Sequence, residues 1–530
     1  MAAATVDDAP VRPRFDWWLL LVVLMTLLAC APFLRTVYSL ADEGQLLHGA
    51  DRLLRGHRLY ADFFEFLPPG GFVLTAAWLG ATGVSFGSAR LLAILVIAGA
   101  ACFAYLACRV ASRNAPLSAG LVIAWVIMSQ GEWTAISHHW FSTLFLMIAA
   151  WAALAGCDTA AAHGRRGRLA SALLAGLAAG TAAMVTPTRG ALGMLAAIPA
   201  YLDRRNLRPF AAYVLAGLTV PAGLLGFVLW QQALGAAFDD VIRWTAENYA
   251  AIQFVPFGEF ASVQNLPLCF VFPVVGVLTV LVMIREGRAA LADRMLLTSV
   301  TFAVAGFLGC FPRADAVHIA FAVPLAAPLA ALCAVRLTSA WPVACRYVVA
   351  AGVIGIVPAS ATAFGVLSRE ALLAPAMPTP RGSVAMMAQP VARDMIARVA
   401  ALPPGDTYFF YPYIPMMPFL TGRAHVAFFD ILLPGYTTAS QYQEACRSAV
   451  RQASWVVIDR TMTNPAVLRV AFPAMRDPSP PKVRRFEQAL EGAFDLVERR
   501  GPFELRHRRD GTSEAGCAAI GEQGSGRHRR

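Results

Sequence analysis

Two acidic residues, Asp42 and Glu43, stand side by side just past the first long apolar run of the chain. Adjacent carboxylates at the edge of an apolar segment can supply a general base. They also suit a plainer task. Asp42 followed by Gln45 fits a helix N-cap with a capping-box partner, and a cap would fix the neighbouring carboxylate as well. Asp62 and Glu65 sit in the run Tyr60-Ala61-Asp62-Phe63-Phe64-Glu65-Phe66-Leu67-Pro68-Pro69-Gly70-Gly71. They could bind sugar hydroxyls or simply be solvated, while the aromatics suit headgroup depth and the prolines the first turn of a helix. Arg189, in Thr186-Pro187-Thr188-Arg189-Gly190, interrupts apolar sequence. Such an arginine either snorkels to the interface or has a function, the default for an ionisable group at membrane depth. Arg313, Asp315 and His318 share one short turn. They could contact a phosphate or an acceptor there, or Arg313 and Asp315 could merely pair with each other. His138 and His139 follow Glu132 in another turn. Adjacent histidines can ligate a metal, but no carboxylate cluster accompanies them, and interfacial residues are the simpler reading. No cysteine spacing indicates zinc, so a divalent metal is left open without being indicated. Arg243, Trp244, Glu247, Asn248 and Tyr249 suit either sugar recognition or an interfacial helix.

The elements that must position these residues are mostly membrane helices. Of 530 residues, 58% are hydrophobic and 15% charged, against nearer 25% charged in soluble domains. About eleven apolar segments long enough to span a bilayer are expected, at 17–38, 87–109, 115–131, 140–156, 168–186, 189–202, 209–233, 263–284, 294–311, 317–336 and 346–367. The formal charge of +11 does not indicate nucleic acid, because most of the excess lies in short loops between apolar segments. Five such loops carry Arg109 with Arg113, Arg165 with Arg166 and Arg168, Arg204 with Arg205 and Arg208, Arg285 with Arg288 and Arg294, and Arg336 with Arg346. All five fall on the side of Arg12 and Arg14 if the glycine-rich segment Gly70–Val84 is a juxtamembrane helix that does not span. The retention of positive charge then makes that side cytoplasmic. The longer stretches Ser39–Phe86, Asp239–Ser262 and everything after about Leu367 lie on the outer face. Arg12 and Arg14 before the first apolar run read as an uncleaved signal anchor rather than a processed leader.

After Leu367 the composition turns polar. Helical spacing at Val391–Leu402, Gln441–Gln452 and Val483–Ala493 alternates with strand-like Thr407–Tyr411, Trp455–Ile458 and Phe503–Arg506, which predicts a small α/β domain of sandwich type. The expected division is a disordered cytoplasmic terminus at 1–14, a transmembrane domain at 15–367, a periplasmic α/β domain at 368–510 and a disordered tail at 511–530. Eight of the ten cysteines lie in or beside apolar segments and read as small buried hydrophobes. Cys446 and Cys517 could pair in an oxidising compartment, although the Gly/Ser-rich surroundings of Cys517 weigh against it.

The order of motifs within 40–92 carries a resemblance. A first outer loop with Asp42-Glu43, an amphipathic helix over Gln45–Arg55, the Leu59–Gly70 run and Ala89-Arg90-Leu91-Leu92 resemble the GT-C superfamily of polytopic glycosyltransferases. Its bacterial members similar to protein O-mannosyltransferases and the lipid A aminoarabinose transferase are nearest. The resemblance covers 17 to about 367 in layout. It implies an inverting glycosyltransferase that moves a monosaccharide from a polyprenyl phosphate to a glycolipid, polysaccharide or protein acceptor at the periplasmic face of the bacterial inner membrane. It also implies that Asp42, with Glu43 second, deprotonates the acceptor, and that Arg189 binds the lipid phosphate with an arginine fork. Relatives carrying a basic residue before the Pro-Pro pair contact the phosphate there; this chain has Leu67, which shifts that role to Arg189, Arg90 and Arg313. Where some relatives place a second acid, Glu132 could substitute, or His138 and His139 could serve otherwise. The alternative is a transporter or flippase for a lipid-linked or amphipathic solute. It calls for internal repeats and mid-membrane polar residues, neither of which stands out.

Overall fold

Apolar runs become helices here wherever a cap and a stop bracket them. The computed structural model describes residues 15–158, 164–343, 355–387 and 390–521. Helix α1 (Trp17–Cys30) starts on Asp16, whose carboxylate accepts from the Trp18 and Leu19 amides. The expected span 17–38 ends early: a 3₁₀ turn begins beside Pro32, and β-branched Thr36-Val37 form strand β1 instead. Helix α2 is Asp42–Leu54 and α3 is Pro69–Thr82, the glycine-rich segment. Then follow α4 (Phe86–Ser112), α5 (Ala115–Ser129), α6 (His138–Cys157), α7 (Gly164–Ala183), α8 (Pro187–Ala196) and α9 (Arg208–Trp230). The helical domain closes with α10 (Val271–Glu286), α11 (Arg294–Leu308), α12 (Ala316–Ala322), α13 (Ala327–Ala340) and α14 (Val357–Leu373).

Among the described residues, α4, α6 and α9 are long and apolar enough to cross a membrane, and Ala316–Leu325 with Ala327–Ala340 makes a fourth span if that pair, bent by 59°, counts as one. Helix α7 has 20 residues as well but carries three arginines near its start and is less apolar; the remaining expected segments coincide with shorter helices, and 346–354 lie outside the described residues. On α7, Gly176 and Gly180 are one turn apart, and a Cβ on either would collide with the α9 backbone at Tyr213 or Gly217. Small residues at this spacing let apolar helices pack backbone to backbone.

Helix α6, with 20 residues, is about 30 Å long, and its two ends differ. Near Cys157, Arg168 and Arg294 converge on Asp203 at 3.5 and 3.4 Å, Arg113 pairs with Asp158 at 3.0 Å, and Arg336 pairs with Glu286 at 2.7 Å. The arginine-bearing connections therefore gather at one end of the bundle. The His138 end meets the candidate site.

Strand β1 pairs in parallel with β3 (Gly382–Met386), which pairs antiparallel with β2 (Ala376–Thr379). The segment after the first helix is thus stitched to the segment after α14. Beyond it come α15 (Ala392–Ala400), β4 (Tyr408–Tyr411), α16 (Met416–Thr421), α17 (Ala439–Gln452), β5 (Trp455–Asp459), α18 (Pro465–Ala471), α19 (Pro481–Ala493), β6 (Phe494–Arg500), β7 (Phe503–Arg508) and α20 (Ala515–Gly521). The sheet order is β4-β5-β7-β6, with β4 and β5 parallel and the other pairs antiparallel. Side chains alternate across a strand. Phe409 and Tyr411 accordingly join Tyr442, Phe486 and Leu490 on one face, while Tyr408 and Phe410 join Met395, Ile396 and Met417 on the other. Helices cover both faces, as the expected sandwich requires. The supposed disordered tail needs correction over 511–521: α20 packs on α17 through a Cys446–Cys517 disulfide, and the rest of that tail, 522–530, lies outside the described residues, as 1–14 do.

Candidate active site

The site begins with a close backbone approach. Gly44 in α2 lies against the backbone of Met416, where a Cβ would collide, and Met416 N donates to Leu40 O at 2.9 Å. The loop between β4 and α16 thereby comes down on the first turn of α2. From it, the Tyr413 hydroxyl lies 3.0 Å from Asp42 Oδ1 and 2.8 Å from Gln45 Oε1. Asp42 is not the cap that its spacing with Gln45 predicted. Ala41 takes the cap position, and Asp42 is the first helical residue with an exposed carboxylate. A carboxylate is favoured there by the helix dipole. Among the described residues Asp42 has no ion-pair partner.

The rest of the polar face of α2 is buried under the C-terminal domain. His48 Nδ1 lies 3.0 Å from Asp430, Arg52 donates to Ala427 O at 2.9 Å, and Asp51 pairs with Arg381 at 3.0 Å. Burial alone would raise the Asp430 pKa, but Arg52 and His48 hold it well below the usual carboxylate range. His425, 3.4 Å from Asp430, is pushed down to about 3 by burial.

A cavity of about 290 Å³ opens beside Asp42. The start of α6 contributes His138 and His139, the turn before α12 contributes Arg313 and Asp315, the first turn of α12 contributes His318, and the C-terminal domain adds Tyr413, Tyr436 and Phe472. Asp315 organises the basic wall. It caps α12, its Oδ1 lies 2.7 Å from His318 Nδ1, and its Oδ2 accepts from Arg313 Nε at 2.8 Å. Burial would raise its pKa, yet His318 and Arg313 override that and bring it to about 2. With Nδ1 engaged, Nε2 is the His318 atom left for a substrate. The His139 ring lies 4.6 Å from His318 and stacks on Phe321 at 5.0 Å. The same cavity thus holds the Asp42 carboxylate together with one arginine and three histidines. This geometry can draw a proton from one reactant and stabilise negative charge on another.

Five expected site residues lie elsewhere or act indirectly. Glu43 borders the cavity, but its carboxylate is committed: Arg90 Nη2 is 3.0 Å away, both side chains are 0% exposed, and the Ile136 amide donates to it at 3.3 Å. Burial pushes its pKa up, and Arg90 opposes that. Arg90 also donates to Thr36 O at 2.6 Å and to Thr134 O, so it braces α2 against the turn before α6 and does not reach a phosphate. Asp62 lies outside the cavity and closes a turn, accepting from Arg58 N at 2.7 Å and pairing with its guanidinium at 2.8 Å. Glu65 is buried behind α2, 2.5 Å from Gln45 Nε2, out of reach of a sugar in the cavity. Arg189 lies behind the histidine wall. It donates to Ser142 Oγ and Phe321 O, both at 2.9 Å, and to His139 O and Thr143 Oγ1, both at 3.2 Å. Among the described residues it has no carboxylate partner. Glu132 bonds Asn265 and does not line the cavity. In the 239–262 loop, Tyr249 reaches the cavity, whereas Trp244 is buried on Tyr436 at 5.6 Å. No group of three or more His, Cys, Asp or Glu side chains among the described residues is arranged to hold a metal ion.

Solved structures share this fold. ArnT from Cupriavidus metallidurans bound to undecaprenyl phosphate aligns with a TM-score of 0.55 at 13% identity, over 94% of this chain and 99% of that one. The fold is that of the GT-C transferases. ArnT in the apo state gives 0.53 at 14% identity over 92% of this chain and 97% of its own. Mycobacterial arabinofuranosyltransferase AftD gives 0.51 at 13% over 94% of this chain, which spans 40% of AftD. No family model matches the chain, and no curated protein is significantly similar in sequence. The likeness is therefore one of fold, without a detectable likeness of sequence. The cavity residues that sequence reasoning missed include Tyr413, Tyr436 and Phe472. The signal for the first was Tyr411-Pro412-Tyr413-Ile414-Pro415-Met416-Met417-Pro418, an apolar, aromatic loop where a solvent-facing one would be polar.

Proposed function

We propose that this chain is an inverting glycosyltransferase of the bacterial inner membrane. It takes a monosaccharide from a polyprenyl phosphate and transfers it to a hydroxyl of a glycolipid, polysaccharide or protein. Asp42 accepts the hydroxyl proton as that oxygen attacks the anomeric carbon from the face opposite the leaving group. The bond from the anomeric carbon to the phosphate oxygen breaks, and the lipid phosphate departs with the electron pair. Phosphate is already a competent leaving group, so the protein's work is positioning and charge stabilisation. Arg313 and His318 supply the second, with His138 and His139 beside them and Arg189 adding positive charge from behind the wall. Glu43 and Arg90 hold the first turn of α2 in place. The arginine-bearing connections face the cytoplasm with the N-terminus, and the cavity and the α/β domain face the periplasm among the membrane lipids.

The observation that carries this reading is the Asp42 carboxylate, without an ion-pair partner among the described residues, in one cavity with the Arg313–Asp315–His318 cluster. The undecaprenyl phosphate bound to the similar ArnT supports the donor class. The test uses purified protein in proteoliposomes with a panel of radiolabelled undecaprenyl-phosphate monosaccharides and a membrane-extract acceptor pool. Asp42→Asn should lower kcat about a hundred- to ten-thousand-fold while melting like the parent. Undiminished transfer by that variant sinks the assignment of Asp42 as base.

A further inference from the structure

A line of buried groups runs from Glu65 to Asp42, and counting its protons gives it a direction. Glu65 Oε2 lies 2.5 Å from the Gln45 amide, whose other end is 2.8 Å from the Tyr413 hydroxyl, itself 3.0 Å from Asp42 Oδ1. Tyr413 has one hydroxyl hydrogen, and with the amide oxygen toward it that hydrogen faces two acceptors. Turning the Gln45 amide end for end changes no shape and resolves the conflict. Glu65, as a neutral acid, then donates to the Gln45 oxygen, the Gln45 nitrogen donates to the Tyr413 oxygen, and Tyr413 donates to Asp42. The first distance agrees, since 2.5 Å fits an O–H···O bond, whereas N–H···O bonds begin at about 2.7 Å. Glu65 is 1% exposed, and its other oxygen has no hydrogen-bond partner among the described residues. Burial pushes its pKa well above the usual range; Asp430 and Asp240 face it and add to that, while Gln45 and Arg52 oppose it. Tyr413 is faced by Asp42, Tyr436 and Glu65, and burial leaves its phenol protonated.

We propose that Tyr413 and Gln45 are positioning residues for Asp42, set in one direction by a protonated Glu65, so that the C-terminal domain completes the catalytic site. The proposal rests on Asp42 being the base. The Tyr413 proton fixes the carboxylate through Oδ1 and leaves Oδ2 for the acceptor hydroxyl. Neither residue need touch the sugar.

The experiment measures kcat and KM in proteoliposomes with whichever undecaprenyl-phosphate monosaccharide the wild type uses. Tyr413→Phe keeps the ring and should lower kcat about ten- to hundredfold, the worth of one hydrogen bond to a charged group, with KM and melting temperature unchanged. Glu65→Gln should retain kcat, because an amide donates where the neutral acid did. An unchanged kcat in Tyr413→Phe, or a loss in Glu65→Gln matching it, overturns the proposal. Infrared difference spectra of wild type against Glu65→Gln give a readout independent of transfer. A carboxylic-acid C=O band at mildly alkaline pH is expected, and its absence overturns the proposal. A wild type inactive on every donor in the panel counts against the transferase reading instead, and the infrared band still decides the state of Glu65.

Discussion

Replacing Glu43 by Gln separates the two carboxylates that adjacency made look alike. The Glu43–Arg90 pair is 0% exposed at 3.0 Å, which at an effective dielectric of about 20 corresponds to about 5–6 kcal/mol of Coulomb attraction. A Gln side chain still accepts one hydrogen bond from Arg90, worth about 1 kcal/mol. The arginine keeps the Thr36 and Thr134 carbonyls but loses its only anionic partner among the described residues. The net loss should be about 3–5 kcal/mol, the range for breaking a buried pair. The assay is thermal unfolding of detergent-solubilised protein, followed by loss of the monodisperse size-exclusion peak, and a drop of several degrees is expected. Glu43→Leu combined with Arg90→Met should recover a large part of that loss, since an apolar pair carries no unpaired charge. Asp42→Asn should cost no more than about 1 kcal/mol, the worth of a charge at a helix start. If Glu43→Gln melts within about one degree of wild type and yet abolishes transfer, Glu43 is a reacting group and the bracing argument is wrong.

Three further outcomes follow from the same geometry. The Cys446–Cys517 bridge closes a 71-residue separation, so Cys446→Ser with Cys517→Ser should destabilise the α/β domain by up to about 4 kcal/mol, seen as a melting shift that reductant reproduces in the wild type. His425 sits at about 3 against 6.5 when free. Because its folded pKa is lowered, the unfolded chain takes up the proton first, and stability is lost as pH falls below about 6.5. By about pH 5 the deficit is about 2 kcal/mol. His425→Phe should remove it, and Glu65 and Asp240, raised in both proteins, cancel in the comparison of melting curves. Arg189→Lys cannot serve four oxygens on two segments with one nitrogen. It should lower stability by about 1–3 kcal/mol and raise the KM for the lipid donor, measured in the same assays.

The helices were readable because a window of apolar residues decides for itself. Gln441–Gln452, expected from its own spacing, became Ala439–Gln452. What escaped depended on partners far along the chain. The polar side of α2 offers no hint of burial until Asp430, 382 residues from His48, is beside it. Arg90 resembled a phosphate ligand until Glu43 was seen 3.0 Å away. Asp62 fell to a local competitor, Arg58. Strand β6 was missed because six of its seven residues are solvent-facing to some degree, as an edge strand's charges make them, so no alternation marks it.

The parallel pairing of β1 with β3 joins Thr36 to Ala385 and Val37 to Met386. Tyr413 reaches back 371 residues to Asp42. A chain halted anywhere before these late residues therefore holds its acid but not the clasp that aims it. The surroundings of Asp42 are complete only once residue 413 has been made, and the pairing beside β1 waits until residue 386.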